Sequence, residues 1–444
     1  MDSQKKLSTQ PYKGARDFYP QEMQTRNYIF EVWKRVCRRF GFEEYDFPIL
    51  EPLEIFAAKT GQEVVNEQLF SLEDRGKRML AIRPELTPGT VRMIAQKYNE
   101  LLKPIKWFMV GNNWRYEKPQ TGRGREFYQL EANIFGVDSV TADLEIFSLI
   151  IEIMREFGAV KEQFGLRFSD RKLLNALLTD TLKLDNEQAL RTRRIMDRYL
   201  KMDAETFSKE LQTIEIAPEQ IKKIQAFLSA DSLQQLDKVI DPKILTENKG
   251  YSDLKSLIQM LGKANLLEYC SFGPTIIRGF DYSDGIVYEV YDKNPNNRRS
   301  LFGGERFDKL IQIFGPYNLA ATGFAMGDWT LLEFLKNWDL LPDYKNETQI
   351  MLTLWPSEDQ KYLYKSFELA CEIRKSGVNV FTWIDTNTKL DKQLKYADKK
   401  RIPYAVIVGE SELTSDRLTV KDLFKQTQQT LSGKEFLKWL EGLK

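Results

Sequence analysis

The chain of 444 residues contains no histidine. This absence excludes histidine as general base, nucleophile or metal ligand, so the chemistry must rest on arginine, glutamate, lysine or a metal brought by a substrate. The three cysteines, Cys37, Cys270 and Cys371, lie far apart without CxxC spacing. We therefore expect no metal site built from protein side chains alone, and reduced thiols in a cytoplasmic protein.

An excess of charge and long apolar runs are also lacking. Lys and Arg number 65 and Asp and Glu 64, so any contact with nucleic acid must come from a local basic surface. The first residues, MDSQKKLSTQPYKG, are polar and lack the apolar core of a signal peptide, and no apolar run approaches the length of a membrane span. We expect a cytoplasmic protein without a membrane partner.

The composition is that of a globular chain with two or three domains, since 42% of its residues are hydrophobic and 29% are charged. Residues 171–265 are rich in helical patterns, which is typical of a helical module inserted in an α+β domain. A polar, proline-containing linker is indicated at 340–348. We predict a first domain made of residues 1–170 and 266–340, interrupted by this insertion, and a C-terminal domain at 347–444.

Individual patterns give the elements of these domains. Apolar residues at helical spacing predict a helix over 22–40 that ends at Gly41. The segment EEYDFPILEP predicts a strand, and a second helix is expected from about Pro88 to Lys103. In the C-terminal domain, TQIMLTLWP, VNVFTWID and YAVIVGE alternate with helical patterns, which predicts a small α/β domain with a mostly parallel sheet.

The stretch WRYEKPQTGRGREFYQ, residues 114–129, crowds charges and glycines between two strand patterns. Its proline and glycines are typical of a hairpin loop. Strand alternation places the following side chains on one face of the hairpin: Asn113, Arg115, Glu117, Arg125, Phe127, Gln129, Glu131 and Asn133. The opposite face of the second strand is apolar, so the hairpin is predicted to form one wall of a polar cleft. The alternative is a solvated hairpin whose charges only keep it soluble.

No GxxxxGK[ST] or GxGxxG motif follows a strand pattern in the first domain. Any nucleotide would therefore be bound by arginines on a sheet rather than by a loop that surrounds its phosphates.

Five motifs occur in one order and spacing along the first domain: YKGARDFYP, FPILEP, IRPELTPGTVRM, WRYEKPQTGRGREFYQ and IIRGFDY. In these the chain resembles the histidyl-tRNA synthetases, which are class II aminoacyl-tRNA synthetases. The resemblance extends to LDKQLKYADKKRIPYAVIVGE and VKDL, which are similar to that family's anticodon-binding domain. It implies a class II antiparallel sheet flanked by helices, a helical insertion and a C-terminal α/β domain, in a homodimer.

The resemblance also implies an activity: ligation of L-histidine to its tRNA, with ATP and Mg²⁺, through a histidyl-adenylate. Arg115 and Arg278 are the implied catalytic residues, because two guanidinium groups would bind the carboxylate and the α-phosphate. The implied ATP-binding residues are Arg115, Glu117, Arg123, Phe127 and Thr330. The implied amino-acid-binding residues are Glu85, Thr87, Arg115, Gln129, Asn133, Arg278, Tyr282, Ser283 and Glu305.

The chain departs from the family at four of these positions. The family commonly has an acidic residue at the position of Asn133, where a carboxylate helps bind the substrate ammonium. Glu305 stands in GGERFD where the family has a glycine, Ser283 replaces the second tyrosine of a pair, and Thr330 replaces an arginine that binds ATP. Glu305 could supply the carboxylate missing at Asn133, block the pocket, or favour another amino acid.

Each charged residue also has a simpler interpretation. Arg115 and Glu117 could form a surface ion pair, which is worth under about 1 kcal/mol. Arg278 could lie at a strand edge, and Glu85 could be a carboxylate favoured by a helix N-terminus.

Two alternative functions remain at this point. One is a paralogue without ligase activity that binds histidine or tRNA as a sensor or regulatory subunit. The other is a ligase for a different amino acid.

A basic helical face is predicted in the C-terminal domain. Lys392, Lys395 and Lys399 have the i, i+3, i+7 spacing that gathers charges on one side of a helix, so we expect them to bind tRNA phosphates. The alternative is a solvated face, because Asp391 and Asp398 lie nearby in the sequence.

Overall fold

A computed structural model describes residues 7–58, 68–120, 122–277, 285–297, 300–415 and 417–443. The chain forms two compact units, Met1–Leu341 and Pro342–Lys444. No helix in these described ranges is both long enough and apolar enough to cross a bilayer.

The strands of the first unit are β1 Glu43–Glu44, β2 Leu50–Pro52, β3 Phe70–Glu73, β4 Met79–Ile82, β5 Ile105–Trp114, β6 Glu126–Phe135, β7 Phe164–Asp170, β8 Cys270–Phe272, β9 Ile286–Asp292, β10 Ser300–Arg306 and β11 Ala321–Gly327. Its helices are Pro20–Arg39, Thr87–Gln96, Thr141–Glu156, Arg171–Asn175, Asn186–Met196, Ala204–Thr213, Pro218–Leu228, Pro242–Glu247, Lys249–Lys263 and Asp328–Asn337. Residues 53–58 are also helical. A π-helical turn spans Ala176–Thr181, and 3₁₀ turns span Tyr199–Lys201, Leu233–Lys238, Leu267–Tyr269 and Leu310–Phe314.

Eight strands form the main sheet in the order β1-β5-β6-β11-β10-β9-β7-β8. The pairings from β5 through β7 are antiparallel, and the two edge pairings, β1 with β5 and β7 with β8, are parallel. A smaller antiparallel sheet has the order β2-β4-β3. The α+β architecture with a helix-rich segment between β7 and β8 agrees with the predicted fold class.

One face of the main sheet is covered by helices. Leu130, Ala132 and Ile134 of β6 are buried in the same hydrophobic core as the apolar residues of Pro20–Arg39 and Thr141–Glu156. The first of these helices starts at a proline, whose fixed φ suits the first helical position. It ends before Gly41, whose φ of +74° is accessible to glycine without strain. The opposite face of the sheet packs against the helix Thr87–Gln96 at Ile105 and Phe135, and part of the remaining face lines a cavity.

Two predicted elements differ from the structure. The segment EEYDFPILEP forms two short strands instead of one, because Pro48 has no N–H to pair and the Phe47 carbonyl accepts a 2.7 Å hydrogen bond from Arg83 Nη1. The helix expected to run to Lys103 ends at Gln96, because Lys97 has a non-helical conformation (φ −118°, ψ 29°) and residues 97–100 form turns.

The second unit contains β12 Ile350–Leu352, β13 Val380–Thr382, β14 Tyr404–Ile407, β15 Arg417–Asp422 and β16 Thr427–Ser432, in the order β13-β12-β14-β15-β16. Its helices are Gln360–Lys375, Leu390–Lys399, Glu410–Ser415 and Gly433–Glu441. The pairings of β12 with β13 and with β14 are parallel, whereas β14, β15 and β16 pair antiparallel. This unit is therefore an α/β domain, as predicted, but its sheet is not mostly parallel: two of its four pairings are antiparallel, because β14, β15 and β16 follow one another through connections too short for helical crossovers.

Candidate active site

A cavity of about 1440 Å³ opens on the face of the main sheet opposite the helices Pro20–Arg39 and Thr141–Glu156. It collects all the predicted site residues of the first unit that the structure describes: Glu85, Thr87, Arg115, Glu117, Arg123, Phe127, Gln129, Asn133, Glu305 and Thr330. Arg278, Tyr282 and Ser283 lie outside the described residues. Residues that are far apart in the sequence thus line one space.

The charged hairpin is built by β5 and β6, which pair from Ile105 with Phe135 to Trp114 with Glu126. The strands end at these last two residues, so Arg115 and Glu117 lie in the loop instead of on the predicted strand face. Both still line the cavity. Arg125 does not line it, because its guanidinium lies 4.0 Å from the centre of the Tyr116 ring and its Nε donates to the Glu117 carbonyl at 3.2 Å.

The backbone of the loop end positions Arg115. Its N–H donates to the Arg125 carbonyl at 2.8 Å, and its Nε donates to the Pro84 carbonyl at 2.9 Å. Its guanidinium lies 5.4 Å from the centre of the Phe127 ring. With Nε bound to the protein, the plane of the guanidinium is fixed at the edge of the cavity.

Glu117 lies between two arginines of the loop. Its carboxylate is 4.0 Å from Arg115 Nη1 and 3.5 Å from Arg123 Nη1, and the Arg123 side chain is 59% exposed. Ion pairs of this length at an exposed position contribute little to stability. Both arginines can therefore exchange this carboxylate for oxygens of a ligand at low cost.

The floor of the cavity contains glycines where the strands approach one another. Gly323 of β11 pairs with Asn133 of β6 on one side and with Glu305 of β10 on the other. A Cβ atom on Gly323 would lie 1.8 Å from Asn133 Oδ1. This register places Asn133 and Glu305, two of the four positions that depart from the family, on either side of one glycine. The sequence alone does not show it.

Glu131 is a cavity residue to which the sequence assigned no role. Its carboxylate accepts hydrogen bonds from Thr87 Oγ1 at 2.7 Å, Thr90 Oγ1 at 3.1 Å and Asn133 Nδ2 at 2.8 Å. Tyr45 also donates to it at 3.4 Å, and burial, followed by the charge of Glu131, raises the pKa of Tyr45 well above its ordinary value. Strand alternation placed Glu131 on the polar face, but its partners on the helix Thr87–Gln96 depend on tertiary packing.

Glu305 is 8% exposed, and no donor among the described residues bonds its Oε2. A buried carboxylate oxygen without a partner is costly. It is therefore available to an N–H group of a ligand in the cavity.

Thr330 and Trp329 follow β11 at the other end of the cavity. The Thr330 hydroxyl lies 2.7 Å from the Leu301 carbonyl and 3.3 Å from the Gly327 carbonyl, so its hydrogen bonds serve the protein backbone. Trp329 also lines the cavity, and its indole N–H donates to the Glu126 carbonyl at 3.0 Å. The sequence analysis assigned no role to Trp329; its position next to Thr330 was the available signal.

No group of three or more acidic or cysteine side chains that could hold a metal ion occurs within the described ranges. Mg²⁺ usually binds one or two carboxylates together with substrate phosphates. The acidic side chains of the cavity are compatible with a metal held mainly by a nucleotide.

In the second unit, Lys392, Lys395 and Lys399 lie on the helix Leu390–Lys399, and all three are exposed. Within the described part of the chain, none of them lies within 4.0 Å of a carboxylate oxygen, and this includes Asp391 and Asp398. These charges are thus available to a partner.

Comparison with known proteins agrees with this architecture. The histidyl-tRNA synthetase family model matches residues 14–328, and the anticodon-binding domain model matches residues 350–443. A histidine–tRNA ligase of Leptospira biflexa is 39% identical over 98% of both chains. The chloroplastic/mitochondrial histidine–tRNA ligase of Arabidopsis thaliana is 34% identical over 98% of this chain and 87% of its own.

The fold is also that of a solved structure, histidyl-tRNA synthetase from Nostoc sp. PCC 7120, with a TM-score of 0.82 and 22% identity over 99% of this chain and 100% of the other. The sequence matches extend over both units and include the cavity and its hairpin. The chain belongs to the histidyl-tRNA synthetase family.

Proposed function

We propose that this protein is a histidine–tRNA ligase that works in two steps. Histidine first reacts with ATP to form histidyl-adenylate and pyrophosphate, and the histidyl group then passes to the 3′ end of the tRNA. The observation that carries this proposal is the single cavity that joins an arginine-bearing hairpin to an acid-rich floor, in a chain whose relatives are named histidine–tRNA ligases.

The first step requires positive charge around the α-phosphorus. A carboxylate oxygen of histidine forms a bond to this phosphorus, and the bond to the oxygen that bridges to the β-phosphate breaks. Arg115 would bind the carboxylate and the α-phosphate, because its fixed guanidinium offers two parallel N–H donors at the cavity edge. Arg278, assigned by the resemblance, would supply the second cation.

ATP would bind at the hairpin end of the cavity. Arg123 and Glu117 would orient its phosphates and adenosine, and the ring of Phe127 offers a surface for the adenine. Thr330 contributes the wall of this site and no charge, since its hydroxyl bonds backbone carbonyls. Mg²⁺ bound by the ATP phosphates would neutralise part of their charge.

The amino acid would bind at the acid-rich end. Its ammonium group needs hydrogen-bond acceptors, and Glu85, Thr87 and Gln129 line this part of the cavity. Asn133 and Glu305 would complete the pocket, and Tyr282 and Ser283, assigned by the resemblance, would frame the imidazole.

In the second step a hydroxyl of the terminal ribose of tRNA forms a bond to the histidyl carbonyl carbon, and AMP leaves. Lys392, Lys395 and Lys399 would bind tRNA phosphates through the anticodon-binding unit.

Homodimer formation is supported by apolar side chains on one face of the small sheet, where Leu50 and Leu72 are each 40% exposed. The cysteines are free thiols, which suits the reducing cytoplasm.

The test is exchange of labelled pyrophosphate into ATP with each standard amino acid, followed by charging of tRNA. We expect exchange with histidine alone and histidine attached to its tRNA. Exchange with a different amino acid would establish a ligase of other specificity. Histidine binding without any exchange would establish a regulatory paralogue, and either result would overturn the proposal.

A further inference from the structure

The contact between Glu131 and Asn133 determines which hydrogen-bonding atoms the acid-rich end of the cavity offers to a substrate. Both side chains lie on the cavity face of β6, and they are 1% and 2% exposed. Asn133 Nδ2 donates to Glu131 Oε1 at 2.8 Å. A carboxylate has only acceptors, so the amide must turn its nitrogen toward Glu131 and its oxygen away.

The oxygen of this amide points toward the cavity floor. Asn133 Oδ1 lies where a Cβ atom on Gly323 would be only 1.8 Å away, and the absence of that atom leaves Oδ1 open toward the cavity. Asn133 therefore turns its carbonyl oxygen, an acceptor, toward a bound molecule and its nitrogen toward Glu131.

Thr87 is oriented in the same way. Its only hydroxyl proton is donated to Glu131 Oε2 at 2.7 Å, which leaves the oxygen lone pairs for another group. Glu131 thus engages a donor from each of two cavity residues at once, one through each of its oxygens.

We infer that Glu131 is a positioning residue that sets Thr87 and Asn133 as hydrogen-bond acceptors for the N–H groups of the substrate amino acid. This inference rests on the proposed function and adds a residue to it. An ammonium group and a protonated ring nitrogen carry only donors, so a pocket of acceptors fits them. A donor turned into the pocket would oppose them.

Glu131→Gln tests the orientation because it changes one atom without changing the shape. The glutamine can keep its oxygen toward only one of its two partners. If its nitrogen faces Thr87, the Thr87 hydroxyl must turn its proton into the cavity; if its nitrogen faces Asn133, the Asn133 amide must turn its nitrogen into the cavity. In both cases one acceptor of the pocket becomes a donor.

The expected result is an increase of about tenfold or more in KM for histidine in pyrophosphate exchange, the effect of a lost hydrogen bond to a charged group. KM for ATP should stay within about twofold of the parent value, since its site lies at the hairpin end of the cavity. An unchanged KM for histidine, or an equal rise for both substrates, would overturn the inference.

A second substitution should restore the pocket. In Glu131→Gln with Asn133→Asp, the glutamine nitrogen donates to the new carboxylate and the glutamine oxygen accepts from Thr87, so both cavity positions are acceptors again. KM for histidine should return to within a few-fold of the parent. A double variant no better than Glu131→Gln would show that Glu131 only holds the helix to the strand, and would overturn the inference.

Two controls separate orientation from folding. Thr90→Val removes a donor to Glu131 from a residue that does not line the cavity, so it should lower the thermal midpoint and leave KM for histidine unchanged. Glu131→Asp keeps two acceptor oxygens and should raise KM for histidine less than Glu131→Gln does; the reverse order would overturn the inference. If Glu131→Gln fails to fold, a KM for histidine in Glu131→Asp more than about tenfold above the parent value would overturn it. Absence of histidine-dependent exchange in the parent would refute the proposed function instead.

Discussion

The guanidinium of Arg16 lies 4.0 Å from the centre of the Trp329 ring and donates a 2.5 Å hydrogen bond to Asp328. Asp328 is 4% exposed and also accepts a hydrogen bond from the Tyr128 N–H at 2.9 Å. Trp329 in turn donates to the Glu126 carbonyl at the start of β6. Arg16, a residue near the N-terminus, thus joins the start of the helix Asp328–Asn337 to the base of the hairpin.

Replacement of Arg16 by alanine should destabilise the first unit by about 3 kcal/mol at pH 7.5, because it leaves a buried carboxylate without its cation. Burial already raises the pKa of Asp328, with Arg16 opposing that effect. Loss of Arg16 raises the pKa of Asp328 further. The free energy of unfolding of the variant therefore falls, relative to that of the parent, as pH rises and Asp328 loses its proton. Denaturant unfolding of parent and variant should therefore differ more at pH 7.5 than at pH 4.

Arg26→Ala is the matched control for Arg16. Arg26 also lies over aromatic rings, 4.6 Å from Phe18 and 4.9 Å from Tyr128, but it pairs with no carboxylate in the described ranges. Arg26→Ala should lower the free energy of unfolding by less than Arg16→Ala does, and the loss should not depend on pH. Equal costs for the two variants would contradict the role given to the Arg16 ion pair.

Arg115→Lys should abolish amino acid activation and leave the fold intact, since an ammonium cannot bind two oxygens as a guanidinium does. The same is expected of Arg278→Lys. Pyrophosphate exchange and thermal unfolding are the measurements, and Arg92→Lys, at a residue paired with Glu51 and outside the cavity lining, is the control. Exchange within a few-fold of the parent in Arg115→Lys or in Arg278→Lys would remove that arginine from the catalytic residues.

Replacement of Lys392, Lys395 and Lys399 by glutamine should weaken tRNA binding and lower the salt dependence of the affinity by about 2 in log–log slope, as for three contacts to single-stranded phosphates. Histidine activation should not change. The control replaces Lys361, Lys365 and Lys375 of the helix Gln360–Lys375, which removes the same charge from another part of the unit. If both triple variants bind tRNA alike, the contacts lie on other residues.

Asn133 and Glu305 should be coupled through their shared neighbour Gly323. A substrate donor held with too few acceptors, or a pocket with two adjacent carboxylates, loses binding free energy. We expect KM for histidine to be higher in Asn133→Asp and in Glu305→Gly than in the double variant. If the effects of the two single substitutions on KM for histidine simply add in the double variant, the two residues are not coupled.

Asp170 should make the first unit less stable as pH rises from 4 to 7. Burial raises the pKa of this carboxyl to about 6, above its usual value in an unfolded chain. The protonated Asp170 therefore contributes to the free energy of unfolding at low pH, and this contribution is lost as pH increases through 6. Asp170→Asn should raise the unfolding free energy by up to about 3 kcal/mol at pH 7.5, at about 1.4 kcal/mol for each pKa unit, and by little at pH 4.

The control for Asp170 is Asp359, a carboxyl whose pKa is shifted in the opposite direction. Hydrogen bonding to the Lys361 N–H lowers the pKa of Asp359, an exposed carboxyl at the start of a helix. Asp359→Asn should therefore lose stability at neutral pH. A gain at pH 7.5 in both variants would show that charge at position 170 is not the cause.

The sequence predicted the fold class and the polar face of the hairpin because both follow from local patterns. Alternation over ten residues of β6 is enough to separate Leu130 and Ala132 from Gln129 and Glu131, whatever the strand pairs with. The family motifs then identified the cavity residues. The predicted strand EEYDFPILEP failed because Arg83, which binds the Phe47 carbonyl, is more than thirty residues away in the sequence.

The parts of the site that the sequence did not reveal are contacts between elements. Glu131 binds Thr87 and Thr90 only because a helix packs beside β6, and Gly323 separates Asn133 from Glu305 only because β11 lies between their strands. Neither strand order nor helix docking is encoded in the spacing of residues along one element. Pair contacts of this kind need the tertiary structure.

Gly323 bears on how an inhibitor of this protein could be evaded. Any side chain there would collide with Asn133 Oδ1 and would also approach the Ala132 carbonyl oxygen within 2.6 Å. A substitution that expels a drug seated on this glycine would therefore disturb the protein's own pocket wall. A compound anchored over Gly323 should meet fewer tolerated resistance alleles than one that depends on Leu200, which lines the cavity with a side chain that is 64% exposed and has no role in substrate binding in the proposed function.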